Sequence, residues 1–268
     1  MCRFMLEYII MTKYKAYLKS LSLAETTIAS YLWHLDKFLS WLDQEKLTKI
    51  KLEEYYQYLL KRYKKVSTIN LRLIILNSYL KFLNNKFRFD LLSNEPKDIL
   101  ILTSDQLQQF LDNPTKNKTI IGLRDKSLLE LLYATGLKVG QIIELQITQI
   151  DDLSKEIILN KQSHLKIPPL AWFHLNKYLL KRNDTSDWLF INFDRSNKTA
   201  DNHLTVRSVE RIVTKYAKGL NPPLTINPQI LRNTLAQQLK QEGAIGQHIK
   251  ESLHFKTKAG ASNYLKRL

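Results

Sequence analysis

The first third of the chain alternates apolar and polar positions with the period of an α-helix. Over residues 25–44 the apolar side chains recur at steps of three and four, which is the pattern of an amphipathic helix. The same pattern covers residues 51–63 and 67–87, and a shorter helix is predicted over residues 13–21. Residues 12–91 are therefore predicted to form a bundle of four helices.

Two segments flank this predicted bundle. Residues 1–11 are apolar but too short to span a membrane, and no small-residue cleavage site follows them. They are predicted to be an extension, or to lie ahead of a translation start at Met11. Residues 92–103 are predicted to be a linker, because a proline ends the helical pattern and Thr103 or Ser104 can cap a new helix.

The rest of the chain, residues 104–268, is predicted to combine helices with a small antiparallel sheet. Strands are predicted over residues 156–162 and 165–170, joined by a polar turn into a hairpin. Helices are predicted over residues 104–111, 124–136, 139–145, 203–219, 226–243, 246–253 and 259–268. The predicted fold class is mainly α with two domains, an N-terminal four-helix bundle and a C-terminal α+β domain.

The charge balance of the chain indicates what kind of partner it binds. The chain carries 41 Lys and Arg against 25 Asp and Glu, a formal net charge of +16. Such a surplus favours a polyanionic partner, with a generally basic proteome as the alternative. The basic side chains predicted to contact DNA are Lys61, Arg62, Lys64, Lys65, Lys81, Lys86 and Arg88 in the first half, and Lys118, Arg124, Lys126, Lys166, Arg207, Arg211, Lys215 and Lys218 in the second.

Other classes of function find little support in the composition. Cys2 is the single cysteine, so no disulfide framework is expected, and the six histidines form no metal-binding motif. The sequence therefore predicts a cytoplasmic protein with no metal, no cofactor, no small-molecule substrate and no membrane association.

Arg232 is the first candidate for a chemical role. On its predicted helix, Leu231 and Leu235 share a face that is expected to pack inward, and Arg232 points elsewhere, close to the helix N-terminus. A helix N-terminus favours anions, so Arg232 is predicted to bind a phosphate. The alternative is an ordinary surface arginine.

Three segments of the second half resemble the catalytic motifs of the tyrosine recombinase family, which includes phage integrases and Xer proteins. Residues 123–151, with the run "ATGL", resemble the segment that carries the first catalytic arginine. Residues 227–239 resemble the His-x-x-Arg-His motif, and residues 253–265 resemble the stretch that ends in the nucleophilic tyrosine. The N-terminal bundle looks like the core-binding (SAM-like) domain of that family, which makes residues 104–268 the catalytic domain.

The resemblance implies a reaction and its residues. Tyr264 would attack a DNA phosphodiester, form a 3′-phosphotyrosyl link and release a 5′ hydroxyl. Arg232 matches the second catalytic arginine, and Lys161 on the hairpin matches the general-acid lysine. These three side chains are expected to converge on one basic surface. The implied partners are double-stranded DNA and a second protomer, either a further copy of the chain or a partner recombinase.

The match to the family pattern is incomplete. The substituted positions are Lys138 for the first arginine, Gln141 for an acidic residue, Gln229 for the motif histidine, Asn233 for the histidine after the arginine, and Phe255 for a histidine or tryptophan, with His254 one step before it. A lysine lacks the two-pronged grip of arginine, and a phenylalanine offers no hydrogen-bond donor. Two functions stay open: a recombinase whose activity these changes impair, or a weakened or inactive relative that binds DNA and regulates it. Xer-type enzymes also carry a helix beyond the tyrosine, where this chain has only "LKRL", so the usual contact between protomers is expected to be weakened, absent or supplied differently.

Overall fold

The computed structural model describes residues 3–43, 45–93, 99–116, 119–160, 163–193 and 202–268. The chain divides into two compact units, Met1–Lys97 and Asp98–Leu268. Among the described residues, no helix is both long enough and apolar enough to cross a membrane.

The first unit contains four helices. They are α1 (Arg3–Ser20), α2 (Glu25–Leu42), α3 (Lys49–Arg62) and α4 (Val66–Phe82). Helix α1 begins at Arg3, so the residues predicted to be an extension up to Met11 are continuous with the first helix. Met11 itself packs against the core of the bundle.

The amphipathic pattern of the first unit corresponds to its packing. Ile28, Leu35 and Leu42 on α2 are buried, and Leu32 and Leu39 pack against the same core from partly buried positions. The spacing by three and four residues thus places one face of the helix inward.

Two asparagines of α4 hold the segment that follows it. The side chain of Asn77 donates to the carbonyl of Phe89 and accepts from its N–H, at 2.9 and 2.8 Å. Asn70 makes the same pair of bonds with Leu92, both at 2.9 Å. An extended segment without strand partners thereby has its backbone groups satisfied along one helix.

The second unit combines eight helices of the described residues with one small sheet. The helices are α5 (Ser104–Asp112), α6 (Ile120–Thr135), α7 (Val139–Ile143), α8 (Pro169–Leu179), α9 (Val206–Ala217), α10 (Pro228–Gln241), α11 (Gly246–Ser252) and α12 (Lys258–Arg267). The strands β1 (Ile150–Asp151), β2 (Glu156–Asn160) and β3 (Ser163–Lys166) pair in the order β1-β2-β3, all antiparallel.

The predicted strand over residues 165–170 was wrong in its second half. Strand β3 ends at Lys166, and helix α8 begins at Pro169. A proline is well suited to the first turn of a helix, where its missing N–H would have had no partner. The apolar residues after it bury Ala171, Leu175 and Tyr178 as one helical face.

Two of the basic residues predicted to contact DNA are in the core instead. Arg124 is 5% exposed, and its Nε donates to Asp125 at 2.9 Å. Lys126 is 2% exposed, and its Nζ lies 2.9 Å from Asp112 and 2.8 Å from Glu130. Buried charges need such partners, so both side chains form ion pairs in the interior and are not exposed for contact with DNA. Lys118 lies outside the described residues.

Candidate active site

A cavity of about 340 Å³ in the second unit gathers most of the predicted site residues. Its walls come from the segment before α5, the start of α7, the first turns of α10, the loop after α11, and α12. The lining residues are Ile99, Lys138, Gln229, Arg232, Asn233, Phe255, Tyr264 and Arg267.

Helix α10 presents three of these side chains together. Asn227 caps the helix, its side chain accepting from the N–H of Ile230, and Pro228 is the first helical residue. Gln229, Arg232 and Asn233 follow at positions i, i+3 and i+4, which share one face of a helix. The sequence of the first two turns therefore sets the spacing of the three groups in the cavity.

Arg232 is buried, with 4% of its surface exposed. Its Nη1 donates to the carbonyl of Gly136 and its Nη2 donates to the carbonyl of Leu253. The guanidinium lies over the ring of Phe255, with Cζ 5.2 Å from the ring centroid. The alternative of a surface arginine was wrong, because this side chain joins the end of α6 and the end of α11 to α10.

A glycine is needed at position 136, whose carbonyl accepts the hydrogen bond from Arg232. Its φ is +59°, a left-handed backbone that residues with a side chain rarely adopt. A Cβ at this position would lie 2.4 Å from Cδ2 of Leu253. The glycine of the "ATGL" run therefore ends α6 and turns its carbonyl to the guanidinium.

Tyr264 points into the cavity from α12. Its hydroxyl donates to Oδ1 of Asn233 at 2.5 Å and accepts from Nε2 of Gln229 at 3.1 Å. Its ring centroid lies 5.2 Å from that of Phe255. Burial raises the pKa of Tyr264, while Arg232 and the hydrogen bond from Gln229 act in the opposite direction. The hydroxyl and the guanidinium thus lie in one cavity, as the sequence predicted.

Comparison with known proteins identifies the family. The model of the phage integrase family matches residues 101–268, and that of the phage integrase N-terminal SAM-like domain matches residues 11–86. The chain belongs to the phage integrase family. The resemblance and the fold class predicted from the sequence are confirmed.

Named relatives of this integrase-family chain cover nearly its whole length. It is 27% identical over 252 residues to the tyrosine recombinase XerA of Pyrococcus horikoshii, covering 91% of this chain and 84% of the relative. It is 26% identical over 260 residues to XerC of Bacillus subtilis, covering 86% and 82%.

Solved structures share the fold. The Tn1549 transposon integrase in complex with circular intermediate DNA has a TM-score of 0.73 at 16% identity, covering 95% of this chain and 94% of that one. The XerH recombinase in a post-cleavage complex with its DNA substrate has a TM-score of 0.69 at 16% identity, covering 90% and 76%.

Two residues predicted for the integrase site are not seen in the cavity. Lys161 lies outside the described residues. His254 does not line the cavity. Its ring is hydrogen-bonded to the backbone of Thr135, and burial lowers the pKa of His254. Phe255, the next residue, takes the place at the cavity wall.

Three lining residues were not among the predicted catalytic side chains: the apolar Ile99 and the polar Asn233 and Arg267. Asn233 was noted as a substituted position, and its distance of four residues from Gln229 was the signal that the two amides meet. Arg267 follows Tyr264 by three residues, so the helical character of the tail was enough to place it on the same face.

The basic residues of α9 form a single exposed face. Val209, Ile212, Val213 and Tyr216 are buried on one side of the helix. The α9 basic face on the other side consists of the exposed residues Arg207, Arg211, Lys215 and Lys218. In the first unit, Lys61, Arg62, Lys64, Lys65 and Lys81 are exposed as well.

We expect Arg232→Met to destabilise the second unit as well as to remove a charge from the cavity. The substitution leaves the carbonyls of Gly136 and Leu253 without their donor, and an unsatisfied buried group costs about 1–3 kcal/mol. Urea unfolding should show a loss of about 2–4 kcal/mol in the free energy of unfolding.

Arg267→Met is the matched control for this measurement. Arg267 lines the same cavity but is exposed. Its removal should change the free energy of unfolding by no more than about 0.5 kcal/mol. Equal stabilities of the two variants would contradict the anchoring role of Arg232.

Proposed function

We propose that the chain is a site-specific DNA recombinase that cuts and rejoins DNA with Tyr264 as its nucleophile. The observation that carries the proposal is the hydroxyl of Tyr264 in one cavity with Arg232, Lys138 and Arg267. A nucleophile in one cavity with three cations suits attack on an anionic phosphodiester. Relatives named as tyrosine recombinases support the same conclusion.

The reaction conserves the number of phosphoester bonds. As the bond from Oη of Tyr264 to phosphorus forms, the bond from phosphorus to the 5′ oxygen breaks, and that oxygen takes up a proton. Arg232 and Lys138 offset the charge that develops on the phosphoryl oxygens. Lys161, by its match to the family motif, supplies the proton to the leaving oxygen. Attack of a 5′ hydroxyl on the phosphotyrosyl bond then reverses the step and rejoins a strand.

The substituted residues reduce the rate without removing the nucleophile. Lys138 brings a charge to the cavity but not the planar, two-pronged donor that an arginine presents to a phosphate. Gln229 donates a hydrogen bond but transfers no proton near neutral pH. Phe255 has no donor, although its ring supports both Arg232 and Tyr264. We therefore assign the chain a slow recombinase activity; nothing in the described geometry favours the inactive alternative.

Double-stranded DNA is the substrate, bound through exposed basic side chains on both units. We assign residues 12–91 to DNA binding and residues 104–268 to catalysis. Each chain carries one Tyr264, and exchange between two DNA segments requires a cut in each. The recombinase therefore acts together with a further copy or with a partner recombinase.

A covalent adduct is the direct test of this function. The protein is incubated with a pool of nicked duplexes of randomised sequence and then separated on a denaturing gel. We expect a protein–DNA adduct from the natural chain and none from Tyr264→Phe, because that variant retains the ring but lacks the attacking oxygen. Duplex that is retarded on a native gel, with no adduct from any member of the pool, would overturn the proposal.

Lys138→Arg is expected to accelerate adduct formation. A guanidinium restores directional donors to the transferring phosphoryl group, and one such donor is worth about 10²–10³ in rate. Single-turnover cleavage of a duplex selected from the pool measures the effect. An unchanged rate with unchanged DNA affinity would mean that Lys138 does not contact the phosphate.

The α9 basic face should contribute phosphate contacts. Arg207→Ala combined with Arg211→Ala is expected to weaken DNA binding and to reduce the slope of log affinity against log salt by roughly 1 to 2. The control removes Lys19 and Lys49, exposed lysines that are not among the predicted DNA contacts and whose charges are paired with Glu25 and Glu53. Equal salt slopes for the two double variants would exclude this face from the DNA interface.

A further inference from the structure

Two amide side chains surround the hydroxyl of Tyr264. Asn233 is 8% exposed, and its Oδ1 accepts from the hydroxyl at 2.5 Å and from Nε2 of Gln229 at 3.0 Å. The same Nε2 donates to Oη of Tyr264 at 3.1 Å. The three groups form a closed triangle of hydrogen bonds.

The direction of these bonds follows from the chemistry of the groups. A side-chain amide oxygen only accepts, and an amide nitrogen only donates. The hydroxyl must therefore give its hydrogen to Asn233 and turn a lone pair toward Gln229. A phenol that is otherwise free to rotate about its C–O bond is held in one orientation.

We infer that Asn233 is the positioning residue for the nucleophile, with Gln229 completing its hydrogen-bonded cradle. The inference rests on the proposed function and adds to it. Asn233 touches neither the phosphate nor the leaving oxygen in this role; it acts through the hydroxyl of Tyr264. Asn233, at the position where the family motif has a histidine, places a hydrogen-bond acceptor beside the nucleophile.

The cradle has a consequence for the proton of the phenol. Neither amide takes up a proton near neutral pH. Among the described residues, the other charged or titratable groups near Tyr264 are Arg232, Arg267 and Lys138 at the cavity and His254 behind its wall. When the bond from Oη to phosphorus forms and the bond to the 5′ oxygen breaks, the phenolic proton therefore goes to solvent and not to the cradle.

The two amides should shift the ionisation of Tyr264 in opposite directions. The bond to Asn233 is donated by the neutral phenol and stabilises it, so Asn233→Leu should lower the pKa of Tyr264. The bond from Gln229 stabilises the phenolate, so Gln229→Met should raise that pKa. A merely structural role would move both variants in the same direction.

The measurement is a pH titration of DNA-free protein followed by carbon-13 NMR, with the 13 tyrosines labelled at Cζ. The signal of Tyr264 is the one absent from Tyr264→Phe. Asn233→Asp provides a second variant, since it keeps the acceptor, adds a negative charge and should raise the pKa. Gln241→Leu is the control, because Gln241 is an exposed amide on the same helix. Shifts of one sign for Asn233→Leu and Gln229→Met, or reversed signs, would overturn the inference.

Cleavage of a nicked duplex selected from the randomised pool separates this inference from the proposed function. Asn233→Leu should slow adduct formation by about 5- to 10-fold, the effect of one hydrogen bond, with DNA affinity unchanged. Full-rate cleavage by this variant would overturn the positioning role while the recombinase function stands. No adduct from the natural chain would overturn the function and the positioning role together.

Discussion

The arrangement of the cavity depends on one buried cation. The guanidinium of Arg232 has no carboxylate partner among the described residues and is satisfied by the carbonyls of Gly136 and Leu253 and by the ring face of Phe255. Carbonyl dipoles and an aromatic face stabilise the charge without neutralising it. The site therefore keeps a full positive charge for an incoming phosphate, and the same bonds hold three helix ends in place.

This anchoring explains why the other features of the site occur together. Gly136 is needed because its left-handed turn presents its carbonyl to the arginine. The second carbonyl is that of Leu253, and Phe255 lies two residues after it. Tyr264 also packs against the Phe255 ring, with the two ring centroids 5.2 Å apart. A change to any one of these residues would alter the position of the others, so the cavity behaves as a single packed unit.

Periodicity and family motifs predicted the helices and the site better than they predicted the buried charges. The face of Ile28, Leu35 and Leu42 followed from spacing alone, because burial of an amphipathic helix is a local property. Arg124 and Lys126 were assigned to the surface although Asp125 and Glu130 lie one and four residues from them on the same helix, because only the packing of the folded unit shows that these ion pairs are buried. The cradle around Tyr264 required the packing of α12 against α10, which no local signal in either helix reports.

Under the proposed function, the substituted residues of the cavity affect the covalent step more than they affect DNA binding. In that function, Arg267 attracts a phosphate by charge, and this attraction is similar in the ground state and in the transition state. Lys138 brings a charge to the phosphoryl group without the two-pronged donor of an arginine. Directional donors aimed at the developing charge are what distinguish the two states, and Phe255 supplies none. The nucleophile, by contrast, keeps a complete set of hydrogen bonds through Asn233 and Gln229. Under the proposed function, we expect a site built in this way to bind DNA with little loss and to show its deficit in the rate of the covalent step.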